Sequence, residues 1–278
     1  VAFRSIGPTI MSGRVTDLEV NPEDPTNFYV AYASGGLWVT SNNGLSFSPL
    51  FEREAVMTIG DIAVDWKRNT IWIGTGENNS SRSSYSGAGI YKSIDNGKSW
   101  SNMGLPESHH IGRIVINAVN PDIVQVAVLG HLYSDNKERG IYKTTDGGKS
   151  WKQTLFINNY TGCIDLVTDP LNNSILYAAS WDRNRRAWNF QESGASSAIY
   201  KSTDAGESWY RITNGSNLFP QGDGVGRIGL ATADNNGSTV LYAFLDNQFR
   251  REKKKETDTT VLTKDQLRGM NSSNFSNV

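Results

Sequence analysis

The sequence SIDNGKSW at residues 93–100 is one of four copies of the pattern that decides the fold. Each copy has Ser or Thr, then Asp or Asn two residues later, Gly four, Ser six and an aromatic residue seven residues after the first. Repeats of this kind, spaced by roughly 50 residues, indicate an array of similar supersecondary units that bury their hydrophobic faces against one another. The Asp or Asn residues of the four copies are Asn42, Asp95, Asp146 and Asp204.

The chemistry of each copy is that of a tight turn. An Asp or Asn side chain accepts hydrogen bonds from backbone N–H groups a few residues later, and Gly adopts backbone conformations that a side chain obstructs. Apolar runs flank each copy, such as residues 90–92 before the second copy and residues 152–156 after the third. The pattern therefore predicts a β-hairpin, with the aromatic residue fixing the turn to a neighbouring unit.

A second pattern, two apolar runs joined by a short polar turn, occurs five times. Each unit therefore has four strands, A to D, with the repeated turn between C and D. Four-stranded units of roughly 40 to 65 residues are typical of propeller blades. The sequence predicts an all-β propeller of four-stranded antiparallel blades, with about five blades present and the last incomplete. The first runs of these pairs lie at residues 15–22, 60–65, 114–121, 164–170 and 228–234.

The turn motif resembles the Asp-box, or bacterial neuraminidase repeat, of sialidases, xyloglucan-degrading glycosidases and sortilin-type receptor propellers. The sequences FRSIGP at 3–8, SGGLW at 34–38 and GIYK at 140–143 are most similar to exported bacterial sortilin-like propellers, and more distantly to xyloglucanase-like glycoside hydrolases. The resemblance covers residues 1 to about 248. It implies that the Asp-box turns lie on the face opposite the ligand, and that the protein is extracellular or in the cell envelope.

The five A–B pairs outnumber the four C–D hairpins, so the fifth blade stops halfway. We expect residues 1–248 to form a partial ring that is the N-terminal part of a longer protein, with residues 3–6 as a ring-closing strand. Residues 249–278 are expected to be a polar insertion or tail. A capping box and an apolar staple predict a short helix near residues 263–270 within it.

The composition of the chain argues against several classes of protein. The formal net charge is −1, so a broad electrostatic attraction to nucleic acid is not expected. Cys163 is the only cysteine, which excludes an internal disulfide and favours a small buried side chain. No apolar run approaches the roughly 18 residues of a membrane span. Nothing in the composition indicates a cofactor.

The loops between strands B and C are unequal in length, and the resemblance places them on the ligand-binding face. Aromatic rings stack on sugars or peptide side chains, and Arg pairs with carboxylates. The alternative is that the longest loop, residues 181–192, folds over a neighbouring blade, with its Trp side chains as packing anchors beneath the Arg stems. The candidate ligand-binding side chains of these loops are Arg82, Tyr85, Tyr133, Trp181, Arg183, Arg185, Arg186 and Trp188.

The A strands carry a second candidate cluster at the channel entrance. Alternate blades are expected to present Arg14, Arg113 and Arg227, with an Asp three residues further along. Converging arginines in a narrow mouth favour an anion such as a carboxylate. Pairing of Arg and Asp between adjacent blades, which would fill the channel, is the alternative. The aspartates concerned are Asp17, Asp61 and Asp165.

Catalysis has weaker support in the sequence. A glycosidase needs two carboxylates about 5 to 9.5 Å apart, and Asp17, Asp61 and Asp165 are the candidates if the protein is an enzyme. The context of Arg4 departs from the sialidase motif by an inserted Ser and a Gly before the Pro. His109 and His110 are adjacent in an expected surface loop without a further ligand cluster, so no metal site is predicted.

These observations favour a non-catalytic exported propeller that binds a peptide, protein or glycan through its loops. Two alternatives remain open. One is glycoside hydrolysis of the xyloglucanase-like type, and the other is a scaffold role as a subunit of a larger cell-envelope assembly.

Overall fold

The computed structural model describes residues 13–81, 84–214 and 219–250. Apart from one 3-10 turn at Pro106–Ser108, every regular element in those ranges is a strand. The first ten strands are β1 (Val15–Val20), β2 (Phe28–Tyr32), β3 (Gly36–Thr40), β4 (Ser48–Pro49), β5 (Ile59–Asp65), β6 (Thr70–Thr75), β7 (Ile90–Ser93), β8 (Ser101–Asn102), β9 (Ile111–Ile116) and β10 (Val124–Val128). The rest are β11 (Gly140–Thr144), β12 (Lys152–Leu155), β13 (Thr161–Thr168), β14 (Leu176–Asp182), β15 (Asn184–Arg185), β16 (Phe190–Gln191), β17 (Ile199–Ser202), β18 (Tyr210–Arg211), β19 (Val225–Asn235) and β20 (Ser238–Asn247).

The strands form four antiparallel four-stranded sheets whose strand order follows the chain. The sheets are β1–β4, β5–β8, β9–β12 and β13-β14-β17-β18. A small hairpin, β15–β16, is inserted between the second and third strands of the fourth sheet, and β19–β20 forms a separate two-stranded sheet. The predicted all-β architecture of four-stranded antiparallel units is therefore confirmed, with the repeated turn between the third and fourth strands.

Hydrogen bonds within each repeated turn explain its residue pattern. In the second copy, Asp95 Oδ1 accepts from Ser93 Oγ at 2.7 Å and from the Ser99 backbone N–H at 2.9 Å. Ser99 Oγ donates to Asp95 Oδ2 at 2.6 Å, and the Gly97 N–H donates to Ser93 Oγ at 2.8 Å. Gly97 has φ +81°, a left-handed conformation that favours Gly. The turn is thus closed by side chains rather than by ladder bonds.

The tryptophan that ends each of the last three turns binds the preceding sheet. The Trp100 indole N–H donates to the Leu50 carbonyl at 2.9 Å, and the Trp151 N–H donates to the Met103 carbonyl at 2.8 Å. Trp209 Nε1 donates to Thr154 Oγ1 at 3.1 Å. These tryptophans are partly buried against the hydrophobic clusters between successive sheets. The expectation that the aromatic residue fixes the turn to the neighbouring unit is confirmed for these three copies.

The first strands of successive sheets contact one another. β1 packs beside β5, β5 beside β9, β9 beside β13, and β13 beside β19. Hydrophobic clusters fill the space between adjacent sheets, and each cluster draws on two neighbouring sheets. The sheets are therefore arranged face to face around their first strands, as an array in which each unit completes the core of the next.

Some sequence predictions lie outside the described residues, namely the ring-closing strand at residues 3–6, the helix near 263–270 and Arg82. The described chain up to Gln248 belongs to one compact unit, and Phe249 begins another. Cys163 is fully buried in β13, as expected. Among the described residues, no helix has the length and apolar content needed to cross a bilayer.

Candidate functional site

A β-bulge interrupts the start of each first strand, and a charged side chain follows it. Asp17, Asp61, Arg113 and Asp165 each resume the ladder directly after the bulge, and Arg227 lies within the corresponding bulge of β19. This corrects the predicted spacing for Arg113, which takes the strand position of the aspartates rather than a position three residues before it. Arg227 instead precedes Ile228, the residue with which β19 resumes its ladder. The bulge is common to these strands, so the difference arises in the turn after β9. There Asn117, rather than Asn120, is the counterpart of Asp169, because each accepts N–H groups two and three residues later.

The three aspartates of this band join neighbouring sheets. Asp17 Oδ2 accepts from the Ile62 N–H at 3.2 Å, and Asp61 Oδ2 accepts from the Ile114 N–H at 2.6 Å. Asp165 Oδ2 accepts from the Leu230 N–H at 2.8 Å. In each case the carboxylate belongs to one first strand and the donor to another, so it satisfies a backbone group that the strand ladder leaves free.

Arg113 lies between two of these carboxylates. Its Nη1 is 3.1 Å from Asp61 Oδ1 and its Nε is 3.1 Å from Asp165 Oδ1. Asp61 raises the pKa of Arg113 above its usual range, so the guanidinium stays charged. Burial raises the pKa of Asp61, and Arg113 opposes that rise. Burial, followed by repulsion from Asp17, also raises the pKa of Glu19 to about 7. Arg113 therefore pairs with aspartates of neighbouring sheets, which is the second of the two arrangements considered from the sequence.

The other two channel arginines contact the segment that follows β6. Arg14 forms a salt bridge with the buried Glu77, and Arg227 Nη1 donates to Asn79 Oδ1 at 3.1 Å. The Arg227 guanidinium also lies 5.6 Å from the centroid of the Trp181 ring. A cavity of about 130 Å³ at the channel entrance is lined by Asp61, Arg113, Asp165 and Arg227 among others. Within it Arg113 pairs with both aspartates, whereas Arg227 contacts Asn79 and the Trp181 ring.

Two predicted ligand-binding residues of the fourth sheet are buried. Trp181 belongs to β14, rather than to a loop, and its indole N–H donates to the Glu192 carbonyl at 2.8 Å. Arg183 is 3% exposed and lies over the Trp181 ring, and burial lowers its pKa to about 9. Neither side chain is accessible to a ligand in solution. The packing interpretation of residues 181–192 describes this half of the segment.

The other half forms the β15–β16 hairpin and reaches the third sheet. The Arg185 guanidinium lies 4.6 Å from the centroid of the Phe190 ring. Arg186 Nη1 donates to the Tyr133 carbonyl at 3.1 Å, which ties the hairpin to the loop after β10. Trp188, between the two short strands, is 86% exposed. The hairpin therefore folds over a neighbouring loop while presenting one large aromatic ring to solvent.

A larger cavity of about 410 Å³ lies between the loops of the second and third sheets. Tyr85 and Tyr133, which are 62% and 47% exposed, come to it from different loops. All three histidines of the chain line the same cavity. The structure thus brings two predicted residues, Tyr85 and Tyr133, together with histidines that sequence reasoning set aside.

The histidines are less exposed than the surface loop predicted from the sequence would make them. His110 is buried, its Nδ1 lies 2.7 Å from the Glu77 carbonyl oxygen, and burial lowers its pKa to about 3. The rings of His109 and His131 stack with centroids 3.8 Å apart. Glu107 Oε2 lies 3.2 Å from His131 Nε2 and 3.8 Å from His109 Nε2. Sequence spacing did not reveal this cluster, because two separate loops supply its members.

No known family profile matches the sequence. A stretch of 117 residues is 30% identical to vacuolar protein sorting/targeting protein 10 of Kluyveromyces lactis, covering 39% of this chain and 7% of that protein. An ancestral GH74 enzyme superposes with TM-score 0.57 and 17% identity, over 83% of this chain and 32% of the enzyme. An auxiliary nutrient binding protein from Bacteroides thetaiotaomicron superposes with TM-score 0.51 and 11% identity, over 84% of this chain and 52% of that one.

These likenesses establish the fold as a β-propeller. The chain spans less than a tenth of its curated relative and about a third of the GH74 enzyme. The curated relative is a vacuolar sorting/targeting protein, and the solved neighbours include both an enzyme and a binding protein. At such low identity the solved structures carry no conclusion about activity.

Proposed function

We propose that this chain belongs to an exported, non-catalytic propeller that binds a peptide, protein or glycan through the loops of its second, third and fourth sheets. One observation carries the proposal. The exposed rings of Tyr85, Tyr133 and Trp188 come from the loops of three successive sheets, and two of them border the 410 Å³ cavity. Exposed aromatic rings on neighbouring loops offer large contact area to sugar rings and apolar side chains.

The arginines of the same loops add polar recognition at the edge of this surface. Arg185 and Arg186 lie on the β15–β16 hairpin, and the contact of Arg186 with the Tyr133 carbonyl holds the hairpin against the third sheet. A hairpin fixed in this way presents Trp188 with little loss of conformational freedom on binding. The channel arginines are paired within the protein, so we assign them to positioning of the loops rather than to direct contact.

A display experiment tests the proposal across both classes of ligand. A random peptide library and a glycan array are each probed with the folded chain. We expect enriched ligands from one of them, with binding weakened at least tenfold by Tyr85→Ala or Trp188→Ala. Tyr210→Ala is the matched control, because Tyr210 is 51% exposed on β18 and lies outside these loops. Absence of enrichment, or equal loss in the control, would contradict the proposal.

Glycoside hydrolysis is the enzymatic alternative that the sequence left open. Asp17, Asp61 and Asp165 each accept a backbone N–H from a neighbouring first strand, which supports a structural role for these carboxylates. We therefore expect no turnover of xyloglucan or of sialosides by the purified chain. Hydrolysis that disappears in Asp61→Asn or Asp165→Asn, with the fold retained, would favour the enzyme instead.

A scaffold role in an envelope assembly is the remaining alternative. Tyr242 and Phe244 are exposed on the two-stranded β19–β20 sheet, where either a further blade or an assembly partner would cover them. Affinity purification of tagged full-length protein from its native envelope distinguishes the two roles. Stoichiometric partners that depend on Phe244, and not on Trp188, would support the scaffold.

A further inference from the structure

Glu107, His109 and His131 form a cluster with the donor atoms of a transition-metal site. Their ligand atoms, one imidazole nitrogen from each histidine and one carboxylate oxygen, all lie within 4.8 Å of one another. Neighbouring ligands of a tetrahedral zinc ion with bonds near 2.0 Å are about 3.3 Å apart. The 3.2 Å separation from Glu107 Oε2 to His131 Nε2 matches that value, whereas the 3.8 Å separation to His109 Nε2 is longer. The His109 ring stacks on His131, so it must turn for its in-plane lone pair to reach a shared ion.

Both ring nitrogens of His131 have polar partners, and Nε2 is the one that faces Glu107. Its Nδ1 lies 2.9 Å from Ser134 Oγ, the type of partner that fixes the tautomer of a metal-binding imidazole. With the proton on Nδ1, the Nε2 lone pair faces the Glu107 carboxylate at 3.2 Å. A proton on Nε2 also satisfies this contact, by donating to Glu107 while Ser134 Oγ donates to Nδ1; when the proton is on Nδ1, a bound cation takes its place. A divalent ion satisfies both Nε2 and the carboxylate and also engages His109.

The backbone around the cluster is held by specific contacts. Asn136 bridges the two loops, because its Oδ1 accepts from the His131 N–H and its Nδ2 donates to the Glu107 carbonyl, both at 3.0 Å. Arg139 Nη2 donates to the His131 carbonyl at 2.8 Å. The Gly87 N–H donates to the His109 carbonyl at 2.7 Å. Such support holds ligands near their binding positions before the ion arrives.

The backbone of His109 is strained, which is itself a mark of a specialised position. Its φ of +49° with ψ −41° is rare for a residue with a side chain. A Cβ at the neighbouring Gly76 would lie 1.8 Å from the His109 carbonyl oxygen, so that glycine allows the close approach. The surrounding chain thus imposes the conformation that places the His109 ring against His131.

We propose that Glu107, His109 and His131 bind one zinc-type divalent ion at the wall of the 410 Å³ cavity. Two imidazoles and one carboxylate leave at least one coordination position for water or a ligand group. His109 and His131 also line the cavity, so that position opens into it. The ion would give the cavity a positive centre that accepts a carboxylate or another oxygen donor. The test of this site does not depend on the proposed peptide or glycan ligand, because the metal is titrated alone.

Titration of the 278-residue chain with Zn²⁺ by calorimetry, and with Co²⁺ by visible absorption, tests this site. We expect one ion per chain and a Co²⁺ spectrum of nitrogen and oxygen ligands. Glu107→Gln, His109→Asn and His131→Asn should each weaken binding at least tenfold, with Asn chosen at position 109 because it tolerates positive φ. Glu23→Gln, a change at an exposed carboxylate on the turn after β1, is the matched control and should bind like the unaltered protein.

Ser134→Ala supplies a second measurement that leaves all three ligands in place. Loss of the hydrogen bond to His131 Nδ1 should weaken Zn²⁺ binding by roughly tenfold, while the Co²⁺ spectrum keeps its form. Absence of stoichiometric binding by the unaltered chain would overturn the proposal. Binding that persists at full strength in all three ligand variants would overturn it equally.

Discussion

At the scale of single residues, the carboxylate of the repeated turn determines how the turn responds to acid. Three donors, the Ser99 N–H, Ser99 Oγ and Ser93 Oγ, converge on Asp95 and stabilise its charged form. The hydrogen bonds from Ser99, followed by that from Ser93, lower the pKa of Asp95 to about 2. The first copy performs the same closure with Asn42, whose Nδ2 donates to Ser46 Oγ at 2.8 Å. An amide therefore substitutes for the carboxylate by reversing one hydrogen bond.

This difference predicts an acid-sensitive contribution to folding. The folded pKa of Asp95 lies below the value near 4 of an unfolded chain, so its contribution is complete above about pH 4 and is lost as the pH falls toward about 2. In Asp95→Asn we expect a shallower decrease of unfolding free energy over that range. Urea titrations at several pH values measure the slope.

The reverse change, Asn42→Asp, serves as the complement in the first turn. It should introduce the carboxylate closure there and make the decrease steeper. Parallel slopes in the original protein and both variants would contradict this account of the turn.

At the scale of elements, the first strands are joined by a charged band that combines backbone and side-chain contacts. Each carboxylate of the band accepts an N–H of another first strand, and Arg113 links Asp61 to Asp165. The buried Asp61 depends on that guanidinium, since an uncompensated buried charge is strongly destabilising. The band therefore holds neighbouring sheets in register.

Replacing the Arg113 guanidinium with a neutral side chain should show that the buried Asp61 depends on it. Arg113→Met is expected to lower the unfolding free energy by about 2 kcal/mol, less than for a fully buried pair because the Arg113 side chain is 40% exposed. Adding Asp61→Asn should recover part of that loss, because the second change removes the unpaired charge. Denaturant unfolding of the single and double variants forms a thermodynamic cycle. Simple additivity of the two changes would contradict the coupling.

The bulges of β5 and β9 place a glycine, Gly60 or Gly112, where the next first strand approaches closely. A Cβ on Gly60 would lie 2.0 Å from the Ile111 carbonyl oxygen, so Gly60→Ala forces β5 and β9 apart. We expect a loss of about 1–3 kcal/mol in denaturant unfolding, typical of overpacking. Gly229→Ala on β19 is the control, since the nearest atom to its Cβ would be Asp165 Oδ2 at 4.0 Å. A Gly60→Ala protein as stable as the control would contradict the close approach.

At the scale of the whole compact unit, stability depends on each sheet having neighbours. The second and third sheets are covered on both sides by hydrophobic clusters, whereas Leu18 on β1 and Phe244 on β20 are exposed. In such arrays, stability is approximately a sum of unit terms and nearest-neighbour interface terms. The exposed strands therefore have fewer stabilising contacts than the central ones.

Hydrogen exchange should follow this difference. We expect amides of β5 and β9 to exchange slowest, and those of β19 and β20 to exchange through local opening well before global unfolding. Exchange followed by mass spectrometry of peptides from each strand measures the order. Uniform protection from β5 to β20 would show that the sheets unfold as one cooperative unit instead.

How much of the structure could be predicted from the sequence depends on how far apart in the chain the interacting residues lie. Turn chemistry around Asp95 lies within eight residues, so the hairpins and their four-stranded units were predictable. The charged band was misaligned because two asparagines, Asn117 and Asn120, follow β9, and only the hydrogen bonds of the folded turn identify Asn117 as the counterpart of Asp169. The cluster of Glu107, His109 and His131 joins two loops, and no spacing rule connects them. Burial of Trp181 and Arg183 likewise depends on contacts that only the folded chain provides.

The tryptophans that end the repeated turns affect the order in which the sheets are completed during synthesis. Each indole of Trp100, Trp151 and Trp209 donates to an acceptor on the preceding sheet. A sheet that has just left the ribosome therefore keeps its outer edge unfinished until the next turn motif emerges. The sheets would therefore be completed one after another from the amino end during synthesis. A translational pause just before residue 151 would leave the Met103 carbonyl of the second sheet without the Trp151 indole that it accepts from.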